Sequence, residues 1–182
     1  VAMHHGAIPY VDVWDRKPFG LFAIYYLIAG ISRSVLAYQI VASLFAAATA
    51  WMLGLIAKRF AGVQAGYFAA ASYLIACGPF EGNTGQATDF YNAFLALAAV
   101  LLLVEREAIR SGRIGARVWM AMGACGLAIT IKQTALFESA FFGLMVLAGL
   151  HHSGASRGRL IAFATLALAI GVAPSAVIAV AY

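Results

Sequence analysis

The chain has 182 residues, 64% of them hydrophobic and 10% charged, with twelve basic and seven acidic side chains and a formal net charge of +5. Soluble domains carry about 25% charged residues, and so little polar surface cannot clothe a water-soluble core, which excludes a soluble globular class. The positive excess falls in short clusters between apolar runs, the pattern of membrane topology and not of a face for nucleic acid.

The opening stretch PYVDVWDRKPFG, residues 9–20, gathers Asp12, Asp15, Arg16 and Lys17 in a chain otherwise poor in charge. An apolar segment, Phe19 to Ile31, follows it. As a helix this segment covers only ~20 Å of a hydrocarbon core about 30 Å thick, so it is expected to lie at the interface or to dip in and return. The next apolar segments run from Val35 to Ala57, Val63 to Cys77 and Phe90 to Val104, then from Val118 past Ile131 to Leu150, and from Leu160 to Tyr182. Lys132-Gln133 divides the long one in two. No fixed-period repeat or low-complexity linker interrupts the chain. The expected fold is all-α, a polytopic transmembrane helical bundle. It is read as one membrane domain over 1–182, with an extracytoplasmic loop and juxtamembrane helix in 1–34 and about six transmembrane helices in 35–182. The chain begins with Val1 and Tyr182 falls inside an apolar run, so it reads as an internal piece of a longer protein.

Charge orients the crossings. The Lys58-Arg59 pair, the group Arg106, Arg110, Arg113 and Arg117, and the Arg157/Arg159 pair read as three loops. The positive-inside rule assigns all three to the cytoplasmic side if Phe19–Ile31 does not cross. Asp12, Asp15, Arg16, Lys17, Arg33, Glu81, Asp89 and Lys132 then share the outer face, with Glu138 one to two turns below Lys132. Acids and bases converging on one face suit a site that binds an anion and moves a proton.

Each of these residues also has a plainer reading. Lys17 before Pro18 can snorkel at a helix start with the proline in the first turn. Asp89, after Thr88 and before an apolar run, can cap a helix. Trp14, Tyr10, Tyr25 and Tyr26 fit an aromatic belt, and GNTGQ (Gly82 to Gln86) reads as a turn-rich loop. Cys77 and Cys125 lie inside apolar runs, and His4-His5 and His151-His152 lack a matching ligand pair, so neither a disulfide framework nor a zinc site is indicated.

The order G-x-x-PY-x-D-x-x-D-x-KP followed by an apolar helix resembles polytopic glycosyltransferases of the GT-C fold. The nearest are the protein mannosyltransferase and aminoarabinose transferase relatives of the dolichyl-phosphate-mannose type. GQATDFYNAFLALAAVLLL is similar to the segment in which that family opens a helix with an acidic residue after an outer loop, with Asp89 in that place. GACGLAITIKQTALF resembles its Gly-rich helix ending in a Thr-Lys-like pair, with Lys132 in place. The resemblance spans residues 6 to about 137. It implies transfer of a sugar, with inversion, from a polyprenyl-phosphate donor to a lipid, glycan or protein acceptor at the extracytoplasmic face of a bacterial inner membrane.

By the same resemblance Lys17, with Arg16 and Lys132, contacts the lipid phosphate, Asp12 and Asp15 shape the loop or touch the acceptor, and Asp89 is a secondary acidic candidate. The family's principal acid falls upstream of Val1, so the catalytic base is not assigned within this chain. Gln39 stands where relatives carry an Arg early in the next span. No cofactor is assigned, and Asp89 with an upstream carboxylate could hold a divalent cation. The competing reading is a transporter or channel segment with an intramembrane Lys132/Glu138 pathway. Matching broken repeats of the kind transporters show are not found.

Overall fold

A computed structural model describes residues 2–12, 17–77 and 86–181. The described residues form a short 3-10 turn, Ala2–His5, and six α-helices: α1 Phe19–Ile31, α2 Val35–Cys77, α3 Ala87–Arg110, α4 Ala116–Ile131, α5 Ala135–His152 and α6 Arg157–Ala181. No strand occurs among them. Helices α2, α3, α5 and α6 are long and apolar enough to cross a membrane, while α1 and α4 are shorter apolar helices. The chain is all-α and, by the length and composition of these helices, an integral membrane protein. Helix α1 has the bounds that its apolar run gives it, and the chain breaks between α4 and α5 at Lys132-Gln133, as expected.

At 43 residues, α2 would be ~65 Å long if straight, about twice the hydrocarbon thickness. It is instead two arms joined at Ala61 (φ −135°, ψ 15°) and Gly62 (φ 86°, ψ 179°). The arms fold back on each other. A Cβ built on Gly66 would lie 2.8 Å from the Gly54 carbonyl oxygen and 3.0 Å from the Lys58 Cβ. Lys58-Arg59 therefore closes the first arm as its last helical turn and does not form a loop, which corrects the reading from composition. Helix continuation is favoured there because cations suit a helix C-terminus, and only the glycine conformation stops it. The Gly62 φ/ψ lies in a region essentially restricted to glycine. Gly62→Ala is expected to destabilise the hairpin by about 1–3 kcal/mol, read as a lower midpoint of thermal or denaturant unfolding in detergent.

The chain divides into two compact units. The first comprises Val1–Ala93 and Thr130–Gln133, the second Phe94–Ile129 and Thr134–Tyr182. In the first unit, Leu21 of α1, Ala42 and Thr49 of α2 and Phe90 of α3 are almost fully buried. Phe90 stands edge-on to Phe45 (centroids 5.1 Å apart) and to Tyr25 (6.4 Å), which ties the start of α3 to α1 and to the first arm of α2. The 3-10 turn is held on α1 by His4, whose ring stacks on Tyr26 at 4.1 Å and whose Nε2 donates to the Tyr26 carbonyl at 2.9 Å.

The second unit has its own core of Leu102, Val118, Met122, Cys125, Val146, Leu150 and Phe163. Its helices approach through glycines, as membrane helices do when no side chain separates their backbones. A Cβ on Gly126 would lie 2.7 Å from the Gly171 carbonyl oxygen. Helices α3 and α5 both end in Schellman caps. In the first, the Arg113 amide bonds to Ala108 O (2.8 Å) and Gly112 N–H to Ile109 O (2.9 Å). In the second, Ala155 N–H bonds to Leu150 O (3.1 Å) and Gly154 N–H to His151 O (3.0 Å). Gly112 and Gly154 sit at φ 76° and 78°, where a side chain is strained. The Arg159 guanidinium donates to the Gly112 carbonyl at 2.6 Å, and Arg117 pairs with a largely buried Glu105 at 3.0 Å. Within this unit the arginines of 110–117 and of 157–159 thus lie at one end, the arrangement that a shared cytoplasmic face requires.

Candidate functional site

The loop ahead of α1 is shaped by its own side chains. Asp12 is exposed, and its Oδ2 accepts from the Ile8 amide at 2.8 Å, while the Asp12 amide donates back to the Ile8 carbonyl at 2.9 Å. The carboxylate therefore closes a local turn, a common use of aspartate outside helices. Tyr10 takes a left-handed backbone (φ 69°), and its hydroxyl donates to the Lys17 carbonyl at 2.8 Å. This bond brackets the segment before Lys17 and leaves the Lys17 side chain exposed at the mouth of α1. Asp15, Arg16, Trp14, Glu81 and residues 82–85 of the GNTGQ loop lie outside the described residues. Pro18 is the N-cap of α1, in an extended conformation (ψ 154°), and not part of its first turn; the helix starts at Phe19. Pro18 itself makes no side-chain cap bond, and the positive pole of α1 adds to the field of Lys17.

A close backbone approach brings the distant segments together. A Cβ on Gly20 would lie 2.6 Å from both the carbonyl oxygen and the Oγ1 of Thr130. Only a glycine lets the first turn of α1 rest on the last turn of α4 in this way. Lys17 is three residues ahead of Gly20 and Lys132 two residues beyond Thr130, so this junction brings together the two chain segments that carry these lysines. The half-buried Lys132 follows the end of α4, where the negative pole of the helix favours a cation. Its Nζ stands 5.2 Å from the centroid of the Tyr91 ring. That geometry is a cation–π contact, which holds the ammonium without neutralising it.

Asp89 belongs to the first turn of α3 and is not its cap: the helix opens at Ala87, and the Asp89 amide donates to the Gln86 carbonyl at 3.0 Å. The residue is only 3% exposed. A carboxylate in a helix's first turn is stabilised by the positive pole, which offsets part of the cost of burying it. Consecutive residues thus take three tasks: Asp89 is buried at the helix start, Phe90 plugs the seam with α1 and α2, and Tyr91 carries Lys132. Sequence reading singled out Asp89 and Lys132 but missed Tyr91, Phe90 and the Gly20–Thr130 contact. An aromatic pair directly after Asp89 and a glycine directly after KPF were the available signals.

Among the described residues, no three His, Cys, Asp or Glu side chains come together as ligands for a metal ion. Any cation at Asp89 would need further donors from elsewhere. Arg33, past the end of α1, is exposed, as is Glu138 in the first turn of α5. Compared with protein-family models, with curated proteins and with solved structures, the chain matches none.

Proposed function

We propose that this chain contributes the phosphate-binding part of a membrane glycosyltransferase that takes a sugar from a polyprenyl-phosphate donor. One observation carries the reading: the Gly20–Thr130 approach joins the KP segment to the TIK segment, beside the α3 start that holds Asp89 and Tyr91. The leaving group of such a transfer is a phosphate whose negative charge grows as the anomeric bond breaks. Fixed cations near that oxygen lower the barrier, and Lys17 and Lys132 have the right charge and origin for the role. Arg16 is the third cation of the same segment. Asp89 is the acidic residue nearest in sequence to this machinery and serves as a secondary acid, while Asp12 acts on the loop and not on the reacting atoms. The base that deprotonates the acceptor hydroxyl is not assigned to a residue here.

The active face is extracytoplasmic and the membrane a bacterial inner membrane in this reading, with α1 along the interface so that a long lipid donor can enter from the bilayer. Single-cysteine labelling at Val13 and Gln86, in a background lacking Cys77 and Cys125, should modify both sites from the same outer side. Labelling from opposite sides would refute a shared face. The reaction itself is tested with the full-length protein in liposomes. Given a polyprenyl-phosphate-linked sugar and membrane extract as acceptor source, it should release polyprenyl phosphate. Absence of release across hexose, pentose and aminosugar donors would overturn the proposal. A Lys132/Glu138 transport path draws no comparable support: no contact between the two side chains is observed, and Glu138 is an exposed residue of α5.

A further inference from the structure

The folded-back arms of α2 form a second place where charge, shape and aromatic character coincide, in a region the proposed reaction does not use. At the crossing, Gly54 and Gly66 leave backbone against backbone: a Cβ on Gly54 would meet the Gly66 carbonyl oxygen at 3.0 Å and the Ala70 Cβ at 3.4 Å. The seam therefore has a floor without side chains, while bulky residues stand around it. The result is a cavity of about 210 Å³ whose lining includes Trp51, Lys58, Val63 and Tyr67 along with the two glycines. Trp51 and Tyr67 are 67% and 74% exposed, so the depression opens outward from the hairpin.

Lys58 distinguishes this depression from an ordinary groove between apolar helices. It lies one turn before the Ala61–Gly62 reversal, and its stem passes against Gly66. No described carboxylate lies within ion-pair distance of it; the ion pairs among the described residues join Arg110 to Glu107 and Arg117 to Glu105. A lysine near the end of a membrane helix ordinarily extends its ammonium to the headgroup level, and tryptophan and tyrosine favour the same level. Here all three line one concavity whose volume falls below that of typical small-molecule pockets, about 300–1,000 Å³. A phosphodiester headgroup with its glycerol suits that size, with the acyl chains running outside along the helices.

We propose that the seam of the α2 hairpin seats the headgroup of an anionic phospholipid from the leaflet at the hairpin tip. Lys58 takes the phosphate, Trp51 and Tyr67 flank the glycerol and upper acyl chain, and Gly54 and Gly66 keep the seat open. The seat stands independently of the sugar-transfer reading, since none of its residues is placed in that reaction.

Trp51 reports on its own seat. In the full-length protein with every other tryptophan changed to phenylalanine, Trp14→Phe and Trp119→Phe among them, Trp51 fluorescence is measured in vesicles containing brominated phosphatidylglycerol or brominated phosphatidylcholine. Brominated phosphatidylglycerol should quench at about fivefold lower mole fraction, the preference expected from one basic side chain at an anionic surface. Lys58→Gln should remove that preference, Lys58→Arg should keep it, and Arg59→Gln should leave most of it. Equal quenching by the two lipids overturns the seat, as does a preference that survives Lys58→Gln. An equal loss in Arg59→Gln overturns it too, because it would reveal only the diffuse potential of a basic tip. Quenching by neither lipid would show that protein covers the seam, and would also end the proposal. Should the tryptophan replacements fail to fold, spin-labelled phosphatidylglycerol bound to the unmodified protein and to Lys58→Gln gives the same comparison.

Discussion

Lys132→Ala is expected to reduce sugar transfer about 10²–10³-fold in the full-length protein, the loss typical of removing one preorganised group that stabilises developing charge. Lys17→Ala should fall in the same range. Both variants should insert and fold normally, because Lys17 is exposed and Lys132 is half-buried with its ammonium directed at an aromatic face. The control for geometry is Tyr91. Tyr91→Phe keeps the ring and should retain near-normal transfer, whereas Tyr91→Leu removes the cation–π contact, worth about 0.5–2 kcal/mol, and should cost roughly two- to thirtyfold. Transfer by Lys132→Ala and Lys17→Ala at the unmodified rate would sink the phosphate-binding assignment.

The second large effect concerns a residue with no chemistry of its own. Gly20→Ala should destabilise the protein by about 1–3 kcal/mol, the usual cost of forcing extra volume into a close-packed contact. Transfer should drop with it, because the added methyl pushes α1, and Lys17 with it, away from the end of α4. Gly20→Val should be worse. Two of the three nearest atoms belong to the Thr130 backbone carbonyl, which no side-chain substitution removes. The double variant Gly20→Ala/Thr130→Ala is therefore expected to remain defective in both thermal stability and transfer. Full recovery in the double variant would show that the hydroxyl, and not the backbone approach, sets the spacing.

Different parts of this structure were visible in the sequence to different degrees, for physical reasons that can be named. The run Phe19–Ile31 is bounded by proline on one side and serine on the other, so the α1 limits are local information and agree with the structure. Lys132-Gln133 interrupts an apolar run too long for one helix, and the chain breaks there. The gap between the Val35–Ala57 and Val63–Cys77 runs contains the reversal in α2, but Lys58-Arg59 within it look like a loop in a composition profile. The helix in fact tolerates them to its last turn, and the stop comes from the φ of Gly62. The neighbours of Asp89 allow it to cap a helix, yet the helix starts two residues ahead of it. The least legible feature was the contact of Gly20 with Thr130. Nothing near either residue in sequence encodes it, since a close backbone approach depends on two helices that are far apart along the chain. The cation–π contact between Lys132 and Tyr91 also joins residues far apart in sequence and was hidden for the same reason.

The hairpin of α2 also bears on how the chain enters a bilayer. The described part of its second arm, Val63 to Cys77, covers roughly 22 Å as a helix, less than the ~30 Å thickness of a hydrocarbon core. Alone it would leave peptide groups unsatisfied at one surface or thin the lipid around it. Joined to a longer first arm through a two-residue reversal, and touching it backbone to backbone at Gly54 and Gly66, it can partition with that arm as one object. Insertion of this region is then expected to be a single cooperative event in which the longer helix carries the shorter one. Lengthening the Ala61–Gly62 junction with a flexible linker would uncouple the pair and strand the second arm at the surface.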